Sequence, residues 1–151
     1  MSEVFPTGGE VFIVGEVFAA AVAFTEENIP AMATLLGDTN PIHHAVDPRY
    51  GVLIACGGHI AGRAMSIAAA NITARVPGAL GRNWHMRFRA PVFAGDVMQV
   101  EWRVISLAPH PRGTLITFDG TGTVQRGDAT ILALTASGDG VLLDPDSDAV
   151  R

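Results

Sequence analysis

The spacing of apolar and polar positions changes character twice along this 151-residue chain. Residues 11–24 are rich in Val, Phe and Ala and read as an extended first strand. Apolar positions then recur at i, i+3, i+4 and i+7 (Ile29, Met32, Ala33 and Leu36), the stripe of an amphipathic helix. Thr25 offers an N-cap, and Glu26 and Glu27 stand where a helix dipole favours acids. Pro30 is tolerated only near a helix start, so the regular part is expected from about Asn28, with Gly37 as its stop. A second helix is expected from Gly57 or Gly58 to about Ile72. Ile60, Ala61, Ala64, Met65, Ala68 and Ala69 cover much of its circumference, and a helix apolar nearly all round is a buried one.

After Pro77-Gly78 the period becomes two. Trp84, Met86 and Phe88 share one face of a strand, opposite His85, Arg87 and Arg89. Met98, Val100, Trp102 and Val104 repeat the alternation after an Ala94-Gly95-Asp96 turn. Further strands are expected over 114–124 and 130–136, joined by a hairpin at Gln125-Arg126-Gly127-Asp128. Trp84, Met86, Phe88, Trp102 and Met65 are expected in the core. Residues 1–10 read as an N-terminal arm, and 139–151, acidic and small, as a loose tail. The order of helix and loop, central helix, then antiparallel meander predicts a single α+β domain over 1–151. In it a curved antiparallel sheet wraps one long helix, the layout of the hot-dog fold.

Composition narrows the partners. The chain is 48% hydrophobic and only 17% charged, which leaves little polar surface for a monomer and points to a homodimer or higher homo-oligomer. The net charge of −5 disfavours nucleic acid, and all ten basic residues are arginine, which removes lysine chemistry. A lone cysteine, Cys56, excludes an internal disulfide. The longest apolar run, 17–24, is too short to span a bilayer, and the N-terminus lacks the order of a signal peptide; no membrane association and a cytoplasmic setting are expected.

The chemistry concentrates in Gly37-Asp38-Thr39-Asn40-Pro41-Ile42-His43. Proline fixes its own φ and pushes Asn40 out of the α region, so a helix ending at Gly37 folds back through Asn40-Pro41. That turn can aim Asp38 and His43 at one point, where a carboxylate and an imidazole serve general acid–base chemistry on a water molecule. The competing reading for Asp38 is an ordinary turn former bonding nearby amides.

Three segments in order resemble the MaoC-like acyl dehydratases, the group that includes (R)-specific enoyl-CoA hydratases. Asp38-Thr39-Asn40-Pro41-Ile42-His43 is similar to the family's Asp-x-Asn-Pro-x-His motif, with Asp47-Pro48 continuing it. Residues 51–57, Gly-Val-Leu-Ile-Ala-Cys-Gly, resemble the segment that opens the central helix. Arg89-Ala90-Pro91-Val92-Phe93-Ala94-Gly95-Asp96 is similar to the family's Pro-Val-x-x-Gly-Asp turn. The resemblance implies a lyase that adds or removes water across the 2,3-double bond of an acyl-CoA thioester. It implies Asp38 and His43 as the dyad that holds the water, and the Gly57 amide as the oxyanion donor. Asn40, Cys56, Gly58 and His59 are implied as supporting or ligand-binding residues. No cofactor and no metal are implied.

The chain also departs from the pattern. Cys56 stands where the family often has His, Gly62 where it often has Ser, and Arg63 is an unexpected charge in the central helix. Two other functions share the fold: an acyl-CoA thioesterase, suggested by Cys56-Gly57-Gly58-His59, and a non-catalytic acyl-CoA-binding protein. Asp38, His43, His44 and Asp47 are of metal-binding type but lack a recognised metal spacing. Cys56 is read as a small buried residue rather than a nucleophile, and His44 and His59 as mainly structural. Gly57-Gly58 equally permits close packing. Arg82, Arg87 and Arg89 are candidates for coenzyme A phosphates or for a solvated strand face.

Overall fold

The computed structural model describes residues 11–146, so the arm read over 1–10 and the end of the tail lie outside the described residues. Strand β1 (Val17–Ala23) is shorter than the strand expected over 11–24, because the chain turns at Gly15 with φ +89°. Helix α1 (Asn28–Leu36) begins where Pro30 requires. Thr25 and Asn28 cap one another: Thr25 Oγ1 accepts from the Asn28 N–H at 2.9 Å, and Asn28 Oδ1 from the Thr25 N–H at 2.8 Å. Gly37 ends the helix at φ 73°, in the left-handed region, and the Asp38 N–H donates back to the Ala33 carbonyl at 2.9 Å. This glycine-based ending turns the chain sharply toward the next segment.

Helix α2 (Gly57–Thr73) carries Ile60, Ala64, Ile67, Ala68 and Ile72 into the core. Behind it stand β2 (Ala79–Phe88), β3 (Val97–His110), β4 (Gly113–Arg126) and β5 (Ala129–Leu143). Every neighbouring pair is antiparallel, in the order β1-β3-β4-β5-β2. Met98, Val100, Trp102 and Val104 of β3 alternate into the core as the period predicts. Trp102 is fully buried, and its indole N–H donates to the Ala64 carbonyl of α2 at 2.9 Å, tying sheet to helix. The glycines of β4 and β5 make room for large rings: a Cβ on Gly120 would lie 2.5 Å from Trp102, and one on Gly138 2.5 Å from Trp84. The result is the hot-dog architecture expected from the sequence.

Three expectations need correction. Strand β5 runs on to Leu143, with Val141 and Leu142 buried, so a loose tail does not start at 139. Helix α2 is buried along one side only; Gly62, Ser66, Ala69, Ala70 and Thr73 are exposed and Met65 is partly so. Phe88 is 51% exposed rather than in the core, while Trp84 and Met86 pack partly buried against it.

Candidate active site

Asn40 sits at the turn in extended conformation (φ −61°, ψ 121°), and Pro41 opens a one-turn 3-10 helix, Pro41–His43. Asn40 Oδ1 accepts from the Ile42 N–H at 3.4 Å and caps that turn. Asp38 Oδ1 accepts from the Asn40 N–H at 3.0 Å, so the turn-former reading of Asp38 holds. Its other oxygen, Oδ2, lies 3.6 Å from His43 Nε2. Turn and pair therefore coexist: one carboxylate oxygen holds the loop and the second faces the imidazole.

His43 is buried, and its Nδ1–H donates to the Ile54 carbonyl at 2.7 Å. A carbonyl only accepts, so the ring proton of neutral His43 is on Nδ1 and the lone pair is on Nε2, toward Asp38. Two acceptors then face each other with no proton between them. A water molecule donating one hydrogen to each satisfies both. His44 Nε2 bonds the Asp38 backbone carbonyl at 2.6 Å, bracing the turn from outside.

The Ile54 segment also leads into α2. Cys56 is the extended N-cap residue (φ −72°, ψ 155°) and offers no side-chain cap. Its carbonyl accepts from the His59 and Ile60 amides at 3.1 and 3.2 Å, whereas the Gly57 and Gly58 amides have no partner among the described residues. From the Ile54 carbonyl to Gly57 is at most about 10 Å of extended chain. The glycines are needed for close approach: a Cβ on Gly57 would lie 3.3 Å from the Phe88 ring, and one on Gly58 2.8 Å from Leu36 Cδ1. A groove of 460 Å³ opens beside Gly57, with Ile42, Ile54, Ile60, Val92 and Phe88 among its walls and the exposed Arg49 and Arg89 also lining it. Neither Asp38 nor His43 lines this groove.

Other predicted residues fall elsewhere. Cys56 is buried and free. His59 is buried against Phe24, ring centroids 4.8 Å apart, and its Nδ1 has no partner among the described residues. Burial, helped by the charge of Arg63, pushes its pKa below the ordinary histidine value. Asp47 is gripped by Arg49, whose Nε and Nη2 donate to its two oxygens at 3.0 and 2.8 Å. That hydrogen-bonded guanidinium holds the carboxyl below its usual range. Asp47 is thus engaged apart from the Asp38–His43 pair, and no three side chains of metal-binding type cluster among the described residues. Sequence reading missed the anchor of the Pro91–Asp96 turn. Asp96 accepts from the Phe93 N–H at 2.8 Å and from the guanidinium of Arg126, which also donates to the Pro91 carbonyl at 2.7 Å.

The chain thus combines a hot-dog domain with a carboxylate–imidazole pair, Asp38 and His43, bonded through His43 to the segment that leads into the central helix. Residues 14–112 match the MaoC like domain, and the chain belongs to this family of hydratases and dehydratases. It is 30% identical over 112 residues to a 3-hydroxybutyryl-CoA dehydratase of Methylorubrum extorquens, covering 72% of this chain and 68% of that one. It is 30% identical over 127 residues to an (R)-specific enoyl-CoA hydratase of Rhodospirillum rubrum, covering 78% and 85%. Among solved structures, an (R)-hydratase from A. caviae involved in PHA biosynthesis superposes with a TM-score of 0.72 at 23% identity, over 87% of this chain and 97% of that one. No helix among the described residues is long and apolar enough to cross a membrane.

Proposed function

We propose that this chain hydrates 2-enoyl-CoA thioesters, or runs the reverse dehydration, with Asp38 and His43 as its acid–base pair. The observation that carries the reading is the bond from His43 Nδ1–H to the Ile54 carbonyl, which in the neutral ring puts the Nε2 lone pair opposite Asp38 Oδ2. Water bridging the two acceptors is oriented with its oxygen lone pair free for C3 of the enoyl group. As the O–C3 bond forms, Nε2 takes a proton from the water and the imidazolium pairs with Asp38. Charge moves onto the thioester oxygen, where the unpartnered Gly57 N–H and the positive end of α2 stabilise it. The pair then delivers a proton to C2, so the product carries both parts of the water and the dyad is regenerated. Asn40 and His44 position the Asp38 turn, and Gly58 admits the α1 terminus against α2.

The thioesterase group that Cys56-Gly57-Gly58-His59 resembles normally uses an acid on the central helix, and Gly57–Thr73 contains none. The two reactions separate in one experiment. A panel of 2-enoyl-CoAs is followed at the enoyl-thioester absorbance band, beside a thiol assay for released CoA. Loss of the band without thiol is expected; thiol release in step with it refutes the proposal.

We propose further that the protein works as a homo-oligomer in the cytoplasm. The exposed small-residue side of α2 and the edge of β2 that meets no strand among the described residues, with Leu80 and Phe88 exposed on β2, support self-association. Light scattering after size exclusion tests it, and a monomer at micromolar concentration overturns it.

A further inference from the structure

The groove beside Gly57 contains two arginines in different electrostatic states. Arg49 already donates through Nε and Nη2 to Asp47, so its charge is compensated. Arg89 has no carboxylate partner among the described residues. Its Nε donates to Thr135 Oγ1 at 3.1 Å, which fixes the guanidinium while leaving both Nη groups open. The other strand arginines differ again. Arg82 lies 3.7 Å from Asp139, and Arg87 faces Thr135 across the β2–β5 register without lining the groove.

A free, exposed cation in a groove whose other arginine is already compensated calls for an anion, and the net charge of −5 makes a local cation the more necessary. Arg89 and Gly57 line the same groove, with the Phe88 ring lying against Gly57, so the cation and the candidate oxyanion donor face one cavity. Guanidinium presents a planar fork of donors that matches phosphate oxygens. Resting on the acyl-thioester reading above, we propose that Arg89 binds a phosphate of the substrate's carrier arm, and that the Gly57 groove holds that arm. Arg89 thereby selects phosphorylated carriers over the bare thioester. Coenzyme A offers this chemistry twice, in the phosphate next to pantetheine and in those of the nucleotide.

The test compares wild type, Arg89→Gln and Arg89→Lys on 2-butenoyl thioesters of CoA, 4′-phosphopantetheine and pantetheine. One charge-assisted contact corresponds to about a 10- to 100-fold preference for the phosphorylated carrier. Arg89→Gln should erase that preference through KM rather than kcat, and Arg89→Lys should keep part of it. Loss on both phosphorylated carriers assigns Arg89 to the pantetheine phosphate; loss on CoA alone assigns it to the nucleotide. Equal loss on all three carriers overturns the inference and makes Arg89 structural. Calorimetric binding of butyryl-CoA against butyryl-pantetheine reads the same preference without turnover. If nothing is hydrated but Arg89→Gln removes the preference in binding, the reaction is wrong and the carrier contact stands. No preference in wild-type binding overturns it.

Discussion

Replacing Gly57 with proline isolates a single N–H. Gly57 is the first residue of α2, the helical position where proline is best tolerated, because its amide has no intrahelical partner to lose. The residue before it is compatible as well: Cys56 has ψ 155°, within the range that a following proline favours. The substitution therefore removes a donor while leaving the backbone path intact, and the stiffer unfolded chain offsets part of any local strain. Bulk is controlled by Gly57→Ala, which adds the Cβ but keeps the N–H. That Cβ meets the Phe88 ring at 3.3 Å, and the ring, half exposed, has room to yield. Loss of one oxyanion donor costs about 100- to 1000-fold in rate, or roughly 2.7–4 kcal/mol of transition-state stabilisation. The alanine variant should keep most of the hydration rate, and the proline variant should fall below it by that factor. Butyryl-CoA affinity should differ much less between the two, because enolate charge exists only in the transition state. Equal rates for the two variants would refute the assignment of Gly57.

Asp38→Asn should lower hydration by about 100- to 10,000-fold, yet unfold near the wild-type temperature, since asparagine forms the same turn with the Asn40 amide; a rate within tenfold of wild type rejects the dyad. Gly120→Ala should destabilise by about 1–3 kcal/mol or more in urea unfolding, because its Cβ would lie 2.5 Å from a fully buried Trp102 whose N–H is engaged; a change under about 0.5 kcal/mol contradicts the packing argument. The lowered pKa of His59 means that the unfolded chain binds its proton first. Stability should therefore be complete above about pH 6.5 and decline as pH falls through that value. His59→Leu should remove this component, and an unchanged pH slope between pH 7.5 and 5 in that variant counts against it.

Local signals account for what the sequence revealed. Thr25, Asn28, Pro30 and Gly37 bound α1 within one turn, and the alternation from Met98 to Val104 is a strand wherever it is placed. Residues 139–143 read as part of a tail because Ser137, Gly138, Asp139 and Gly140 have the composition of a loop. Their role is set by distant partners: Gly138 lies under Trp84, and a Cβ on Gly140 would lie 2.8 Å from the Leu80 carbonyl. Glycine that weakens a strand by propensity is required there by packing. Phe88 continued the apolar alternation of β2, but the strand ends at it and its ring faces the groove. The Arg126–Asp96 anchor was hidden for the same reason, since it joins a hairpin to a turn 30 residues away.

The site divides along the same line. The convergence of Asp38 and His43 is legible because Asn40-Pro41 dictates the turn between them. What makes the pair chemically directional is a main-chain carbonyl 11 residues downstream, which carries no side-chain signature. Ile54 fixes the His43 tautomer, and three residues later the same extended segment presents the Gly57 amide. The proposed base and the proposed oxyanion donor thus share one stretch of backbone, itself held by the Ala55 N–H on the Val92 carbonyl at 2.8 Å and the Ala94 N–H on the Leu53 carbonyl at 3.0 Å. On the proposed mechanism, the Arg126–Asp96 grip on the Pro91–Asp96 turn bears on catalysis through this segment. A change that loosens this turn shifts the segment carrying Ile54 and Gly57, so proton transfer and enolate stabilisation weaken together rather than singly.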